Sequence, residues 1–541
     1  MQSFNRVLSA IILFLGTGVL LSQSAELPSF TRKYKLQELG ENVFVFDTSM
    51  NNTEIQSVID TIFARQSARR SEFSLNRFAL MFRPGIYDLD IRVEYYMHVM
   101  GLGESPEDVV IRGAVRSNTT HGNSVLTNFW RAVENLTVVP SENSTMVWGV
   151  SQAAPLRRVH VKGNLQLFDK GYASGGFLAD SEVDGTISSG PQQQWFTRNS
   201  SIGNWVGGNW NMMFMGVPGA PAQNWPEGPY TTIDYTPVIR EKPWLTEGRK
   251  GFEVRIPPIR HNSAGPGWTE PGKTGKKIPL KKFYIVRQGT DDASTINSAL
   301  RKGKNLLITP GRYFLNESIK ITRPGTVVMG TGLATLIPVN GNAAVEISDE
   351  GGVIVCGLTI DADRIPSGEL FVVGERGSEK SHASNPVFLY DIFFRVGGPA
   401  EGSAESCLVI NSNDVIIDHV WLWRADHGTG VGWDRNRGAN GLTVNGDNVT
   451  VYGLFNEHFQ EYQTLWNGNN GRVFFYQSEM PYDPPTAEDW THNGTNGYAS
   501  YKVADHVTSH EAWGLGIYNV FYNAPVIVDT AIETPPALEE S

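Results

Sequence analysis

Pro84-Gly85-Ile86-Tyr87 and Pro310-Gly311-Arg312-Tyr313 are one phrase written twice, each at the same point of a longer repeat. The first copy runs from Val43 to Ala114 and the second from Phe283 to about Ala344. Each opens on a strand-like run, Val43-Phe44-Val45-Phe46 or Phe283-Tyr284-Ile285-Val286. A short amphipathic helix follows, with Ile55 and Ile59 on its apolar face in one copy and Ile296 and Leu300 in the other. A strand then leads into the Pro-Gly-x-Tyr phrase. The next strand ends in Met-Gly-x-Gly, at Met100 to Gly103 and again at Met329 to Gly332. A repeated supersecondary unit sets the architecture before any catalytic motif is read. It predicts two strand-built halves, each opened by a capping helix.

The unit resembles the opening of the pectate-lyase-like right-handed parallel β-helix superfamily, where a short helix caps the first coil and the Pro-Gly-x-Tyr strand starts the solenoid. Two openings in one chain resemble the tandem β-helices of glycoside hydrolase family 55. The resemblance implies an all-β fold of two tandem parallel β-helices. The physics agrees, because a β-helix exposes strand edges and core at its end and needs a cap there. On this plan residues 36–240 form the N-terminal β-helix and 283–541 the C-terminal one. Residues 241–282, rich in Pro, Gly and Lys, form the inter-domain crossover.

Composition narrows the function. The 541 residues hold 56 glycines and only 19% charged residues, which suits many short strands joined by tight turns. Residues 1–25 read as a secretory signal: Arg6, then an apolar run from Val7 to Leu21, then small residues at Ser22 to Ala25. That apolar run is short for a bilayer, and no later segment is apolar enough to span one. A soluble, secreted, extracellular protein with no membrane partner in its mature form is expected. Glycosylation sequons at Asn51, Asn118, Asn135, Asn143, Asn199, Asn316, Asn448 and Asn493 fit that compartment. Cys356 and Cys407 either pair or lie as separate thiols in a β-helix core. The net charge of −11 argues against nucleic acid and against a polyanionic substrate, which needs a basic groove.

The second half stacks coil on coil. Strands starting at Val353, Val387, Val415, Val449 and Arg472 fall into one register, and Lys502 to Val507 extends it. Asn411, Asn445 and Asn467 recur at the turns and read as an asparagine ladder. The densest polar and aromatic cluster is Trp421 to Gly428, followed one coil on by Phe455 to Tyr462. In this register Arg424 stacks over His458 and Trp423 over Glu457. Asp426 and Glu457 are therefore the candidate catalytic carboxylates, with Asp414 a secondary candidate. Trp421, Trp423, His427, Trp433, His458 and Trp466 are the candidate substrate-binding residues. Glycoside hydrolysis needs two carboxyl groups across the scissile bond, one to protonate the leaving oxygen and one to activate water or attack. Indole faces offer apolar platforms to sugar rings. Trp423 to Gly428 and Tyr482-Asp483-Pro484-Pro485 also make this region similar to secreted glycoside hydrolase family 87 α-1,3-glucanases.

In the first half, Gln192 to Asn199 with Trp205, Trp210 and Asn211 reads either as a substrate-binding surface or as inter-domain packing, and the lack of a paired carboxylate favours packing. The expected function is a secreted glycoside hydrolase acting on a neutral, glucan-like polysaccharide. It requires no cofactor and no metal. Two alternatives stand beside it. One is a non-catalytic matrix or cell-wall protein that binds glycan through the same face. The other is a calcium-dependent polysaccharide lyase using Asp414, Asp418 and Arg424.

Overall fold

The computed structural model describes residues 27–69, 71–269 and 275–538, so the predicted signal segment lies outside the described residues. Two stacks of parallel strands lie side by side. In the first, parallel pairing runs from Val43–Phe46 to Tyr230–Ile233. In the second it runs from Phe283–Val286 through Val415–Arg424, Thr450–Glu457 and Gly471–Glu479 to His510–Tyr518. A further parallel sheet, ending at Ile532–Glu533, forms another wall of the second solenoid. No helix among the described residues is long and apolar enough to cross a membrane.

The repeated phrase has a repeated job. The Tyr87 hydroxyl donates to the carbonyls of Arg83 (2.7 Å) and Phe46 (3.3 Å). The Tyr313 hydroxyl donates to those of Thr309 (2.8 Å) and Val286 (3.1 Å). Each tyrosine thus ties its own turn to the end of the opening strand. Gly101 and Gly330 are fixed by close approach: a Cβ on them would lie 1.9 Å from the Asn135 carbonyl and 2.3 Å from the Gly357 carbonyl. The capping helices are Asn52–Gln66 and Ala293–Arg301. The Asn51 and Asp292 side chains cap their free N–H groups, and Ile55, Ile59, Ile296 and Leu300 face the cores.

The residues read as the inter-domain crossover contain antiparallel strands. Trp244–Gly248, Gly251–Ile256 and Lys276–Pro279 make a three-stranded sheet. Leu245, Val254 and Ile256 bury themselves against the seam between the solenoids. Lys502 to Val507 is not the sixth coil strand: Tyr501–Val503 belongs to the other sheet, and His510–Tyr518 pairs with Gly471–Glu479. Cys356 and Cys407 are separate, buried thiols. The asparagine ladder is present: Asn445 Nδ2 donates to Asn411 Oδ1, and Asn467 Nδ2 to Asn445 Oδ1, each at 2.8 Å.

From Ile354–Asp361 onward each long strand of the second solenoid bends at one left-handed residue, and these stack: Gly357, Asp391, His419, Gly453, Phe475 and Gly514, with φ from 50° to 72°. The first solenoid has a matching column at Asn135, Arg158, Asp180 and Asn199. The second column meets the first solenoid. The Phe177 ring stacks on His419 at 4.5 Å and Phe196 on Phe475 at 5.6 Å. Arg157 pairs with Asp391 (2.8 Å) and Asp418 (2.7 Å), and Arg198 with Asp418 (2.9 Å) and Glu241 (2.7 Å), all buried. Charges taken out of water hold only with good geometry and full pairing, so this network fixes how the halves dock. The Gln192 to Asn199 segment therefore serves packing between the halves, as read from its sequence.

Candidate active site

The register that builds the second solenoid also builds a column across its coils. Asp361, Arg395, Trp423, Glu457, Glu479 and Tyr518 are successive parallel partners. Neighbouring coils lie about 4.8 Å apart, so Glu457 and Glu479 stand one above the other. Trp423 over Glu457 is the predicted pairing. Glu479 beneath Glu457 was not predicted, because starting the fifth strand at Arg472 slips the register by one. The true partner of Thr450 is Arg472, and so Val449 stands opposite Gly471. The ladder held the correct spacing: Asn445 and Asn467 are 22 residues apart, as are Glu457 and Glu479.

The two glutamates have opposed surroundings. Glu457 is buried, its Oε2 accepting from the Trp421 indole N–H (2.8 Å) and its Oε1 from the Gln152 amide (2.7 Å). Gln152 comes from the first solenoid. Glu479 is half-buried. The Gln477 amide donates to its Oε1 at 3.3 Å, and the Tyr482 hydroxyl bonds its Oε2. Burial, then the nearby charges of Glu457 and Asp426, push the Glu479 carboxyl well above the usual carboxylate range. Burial raises Glu457 as well on balance, although His458 and donors from Trp421, Gln477 and Gln152 oppose it. Both Glu457 oxygens accept from groups that only donate, so the proton the pair retains sits on Glu479.

Asp426 forms the third acidic corner. It is crowded by protein, yet 30% of its side chain still meets solvent, as suits a group in a cleft wall. His427 Nδ1 lies 2.8 Å from Asp426 Oδ1, and its Nε2 lies 2.7 Å from Oε1 of Glu72, which the first solenoid supplies. Burial disfavours charge on Asp426. The His427 hydrogen bond and the positive charge of His458 and His427 outweigh it and hold the carboxyl at about 2. His427 is also opposed by burial, but its bonds to Asp426 and Glu72 raise it to about 10. Tyr482 lies against His458 (4.3 Å between centroids) and Tyr522 (5.0 Å), and Tyr518 stacks on Trp210 of the first solenoid (5.8 Å). Arg424 fixes this end of the site, its guanidinium bidentate to Asp483 (2.9 and 3.0 Å) and donating to the His458 carbonyl (3.1 Å).

Several predicted residues lie elsewhere. Asp414 is buried in a turn, accepting from the Ser381 hydroxyl (2.9 Å) and the His382 N–H (2.7 Å); it is structural. Trp466 lies within the core of the second solenoid. Trp421 and Trp423 are not open sugar platforms. Both are buried at the seam, where Trp421 packs on Phe129 (4.7 Å) and Trp423 on Phe73 (6.3 Å). Trp421 orients Glu457 from behind. His458 is buried beneath Tyr482, and Trp433 lies under Arg424, away from the glutamates' column. Asn135 and Asn199 are fully buried sequons. Asn135 donates to the Gly101 and Gly103 carbonyls, and Asn199 to Glu241 and Ser263, so the folded chain has no room for a glycan on either. Asn51, Asn143, Asn316, Asn448 and Asn493 are exposed, and Asn118 is half-buried.

Comparison with known proteins gives the family. A family model described as the LAM55 pectate lyase-like domain matches residues 284–479, a segment that ends on Glu479. Over 495 residues the chain is 47% identical to an exo-β-1,3-glucanase of Streptomyces sp. (strain SirexAA-E / ActE), covering 91% of this chain and 81% of that protein. The chain belongs to glycoside hydrolase family 55, the LAM55 enzymes. The region that looked similar to family 87 carries the LAM55 match. The solved structure of sacteLam55A from Streptomyces sp. SirexAA-E superposes on this LAM55 enzyme with a TM-score of 0.90 and 46% identity, covering 92% of this chain and 91% of that one. A glutamate-to-alanine variant of sacteLam55A in complex with glucose gives a TM-score of 0.89 and 45% identity, with the same coverage of both chains. The enzyme is a glycoside hydrolase of the tandem β-helix type.

Proposed function

We propose that this family 55 enzyme is a secreted exo-β-1,3-glucanase, with Glu479 as general acid and Glu457 as the ionised partner. The observation that carries the reading is the stacked pair: two carboxyls on adjacent coils whose surroundings drive their protonation apart. Divided environments are how paired carboxyls take separate acid and base roles. Glu479 delivers its proton to the glycosidic oxygen as the bond breaks. Glu457, held ionised by Trp421 and Gln152, faces the positive charge that develops at the anomeric carbon and takes up a proton from water. Asp426, kept charged by His427, raises the proton affinity of Glu479 and accepts a sugar hydroxyl.

Other features support a neutral sugar in the cleft. The Gln152 and Gln477 amides surround the acid pair with neutral donors rather than cations. The acidic corner repels uronates. The exo mode and the β-1,3 linkage follow the 47%-identical relative. Secretion rests on the signal-like residues 1–25 and the exposed sequons.

The test is product release from a panel of β-1,3-, β-1,4-, β-1,6- and α-1,3-glucans. The expected result is glucose from β-1,3-glucan alone, lost in Glu479→Gln. That variant should regain turnover on an aryl glucoside whose leaving group needs no proton, whereas Glu457→Gln should stay inactive on both. Unsaturated products, or full activity in Glu479→Gln, would overturn the reading.

A further inference from the structure

A second groove lies on the outer face of the second solenoid, behind the Arg424 end of the catalytic cleft. Its floor is Gly438-Ala439. Coil stacking places Glu405 on one side and Glu461 on the other: the Ala439 N–H donates to the Glu405 carbonyl (3.1 Å) and the Glu461 N–H to the Ala439 carbonyl (2.9 Å). A small residue between two long ones on successive coils makes a notch, about 10 Å between rims at two inter-coil spacings. The space encloses about 420 Å3, within the range of small-ligand sites. Trp433 and Tyr498 form its aromatic walls.

The rims carry the chemistry. Among the described residues, neither the Glu405 nor the Glu461 side chain has an ion-pair or hydrogen-bond partner. Glu461 is held above the usual carboxylate range by burial and by Glu405. Unpaired acceptors on two sides of an aromatic-walled notch suit a ligand that donates many hydrogen bonds and bears no negative charge. A neutral sugar meets that description, its ring against the aromatic faces and its hydroxyls donating to the carboxylates.

We propose that this groove is a second carbohydrate-binding site that holds a segment of β-1,3-glucan chain away from the cleaved end. The proposal rests on the glucan reading of the cleft. Gln460 forms the partition between them: its side-chain amide donates to the Trp433 carbonyl (2.7 Å) and its backbone carbonyl accepts from the Trp490 indole N–H (2.8 Å), two residues from His458. A chain seated in the groove is thereby kept close to the acid pair without entering it. Holding one polymer at two places raises its effective concentration at the cleft.

The test uses full-length protein carrying Glu479→Gln, titrated by calorimetry with a β-1,3-linked glucohexaose. The expected isotherm has two sites. Adding Glu461→Gln or Tyr498→Ala should weaken one of them about tenfold or more, as expected for losing a hydrogen bond to a charged group or an aromatic face. The other site should stay as it was. With Glu479 intact, these two substitutions should lower turnover of insoluble glucan and leave kcat/KM on a β-1,3-linked disaccharide unchanged. Melting temperature monitors folding of each variant. One site that neither groove substitution alters would overturn the groove and leave the cleft reading standing. No binding of the hexaose at all would overturn the cleft reading itself.

Discussion

The two solenoids open in the same way and end differently. Both carry a capping helix, a Pro-Gly-x-Tyr turn tied back to the opening strand, and a glycine where the next coil passes closely. Both carry a column of left-handed residues. In the second, the column next to the seam carries Trp423, Glu457 and Glu479. The first sends Gln152, Glu72, Phe73 and Trp210 across to meet them. The repeat supplies the frame, and chemistry arises where one copy acquired acids and the other acquired the groups that hold them. The cleft therefore depends on docking as much as on either solenoid.

Breaking that division of labour should have its largest effect at the acids. Replacing Glu479 by Gln removes general-acid catalysis and should lower kcat on β-1,3-glucan by about 10²- to 10⁴-fold, with a KM near the parent value. Loss of the acid should also remove the basic limb of the kcat/KM profile, because activity falls as pH rises through the elevated pKa of Glu479. A basic limb that persists in Glu479→Gln would assign the proton elsewhere in the site.

The seam comes next. Arg198 is fully buried and bonds both Asp418 of the second solenoid and Glu241. Removing one partner from such a network leaves uncompensated buried charge, and Arg198→Ala should cost about 3–5 kcal/mol by chemical denaturation. Asp414→Asn, in a turn remote from seam and cleft, should keep near-parent activity on β-1,3-glucan. A catalytic loss there would restore it as a site residue.

A smaller effect is expected where the first solenoid touches the acid pair. Gln152→Ala deletes a hydrogen bond to the buried Glu457 carboxylate, worth about 1.5–3 kcal/mol, and should lower kcat by roughly 10- to 100-fold. Parent stability with reduced kcat would show the first solenoid acting as part of the machinery. Unchanged kcat would reduce it to a scaffold.

What the sequence revealed follows from the range of each interaction. The caps, turns and coil register are set by residues near in sequence or one coil apart, so the repeat and the period of apolar residues carried them. Trp423 over Glu457 came from that register. Glu479 was lost to a slip of one residue, although the Asn445–Asn467 spacing held the correction. Trp421 and Trp423 looked like open platforms because nothing local shows that a second solenoid covers them. Gln152 and Glu72 had no signal at all, since docking between solenoids has no period in the chain. The buried sequons at Asn135 and Asn199 were misleading for the same reason.

The mildest test probes the bridge between the halves. His427 links Asp426 to Glu72, and its folded pKa of about 10 lies above the ordinary value of 6.5. A group raised in this way contributes stability that is fully present below its unfolded pKa and fades as pH climbs through the folded one. Asp426 runs the other way: held at about 2 against an ordinary 3.8, its contribution is present above 3.8 and fades as pH falls toward 2. The bridge is therefore intact between about pH 4 and 6.5, and its upper loss spans roughly pH 6.5 to 10. The effect is small, because the His427 side chain is 38% exposed and solvent screens it. His427→Gln should flatten the decline in melting temperature across that upper window and leave the range between about pH 4 and 6.5 with a uniform offset. Parallel curves for parent and variant across the window would mean that the solenoids are joined at this point by packing of Phe73 and Trp423 rather than by charge.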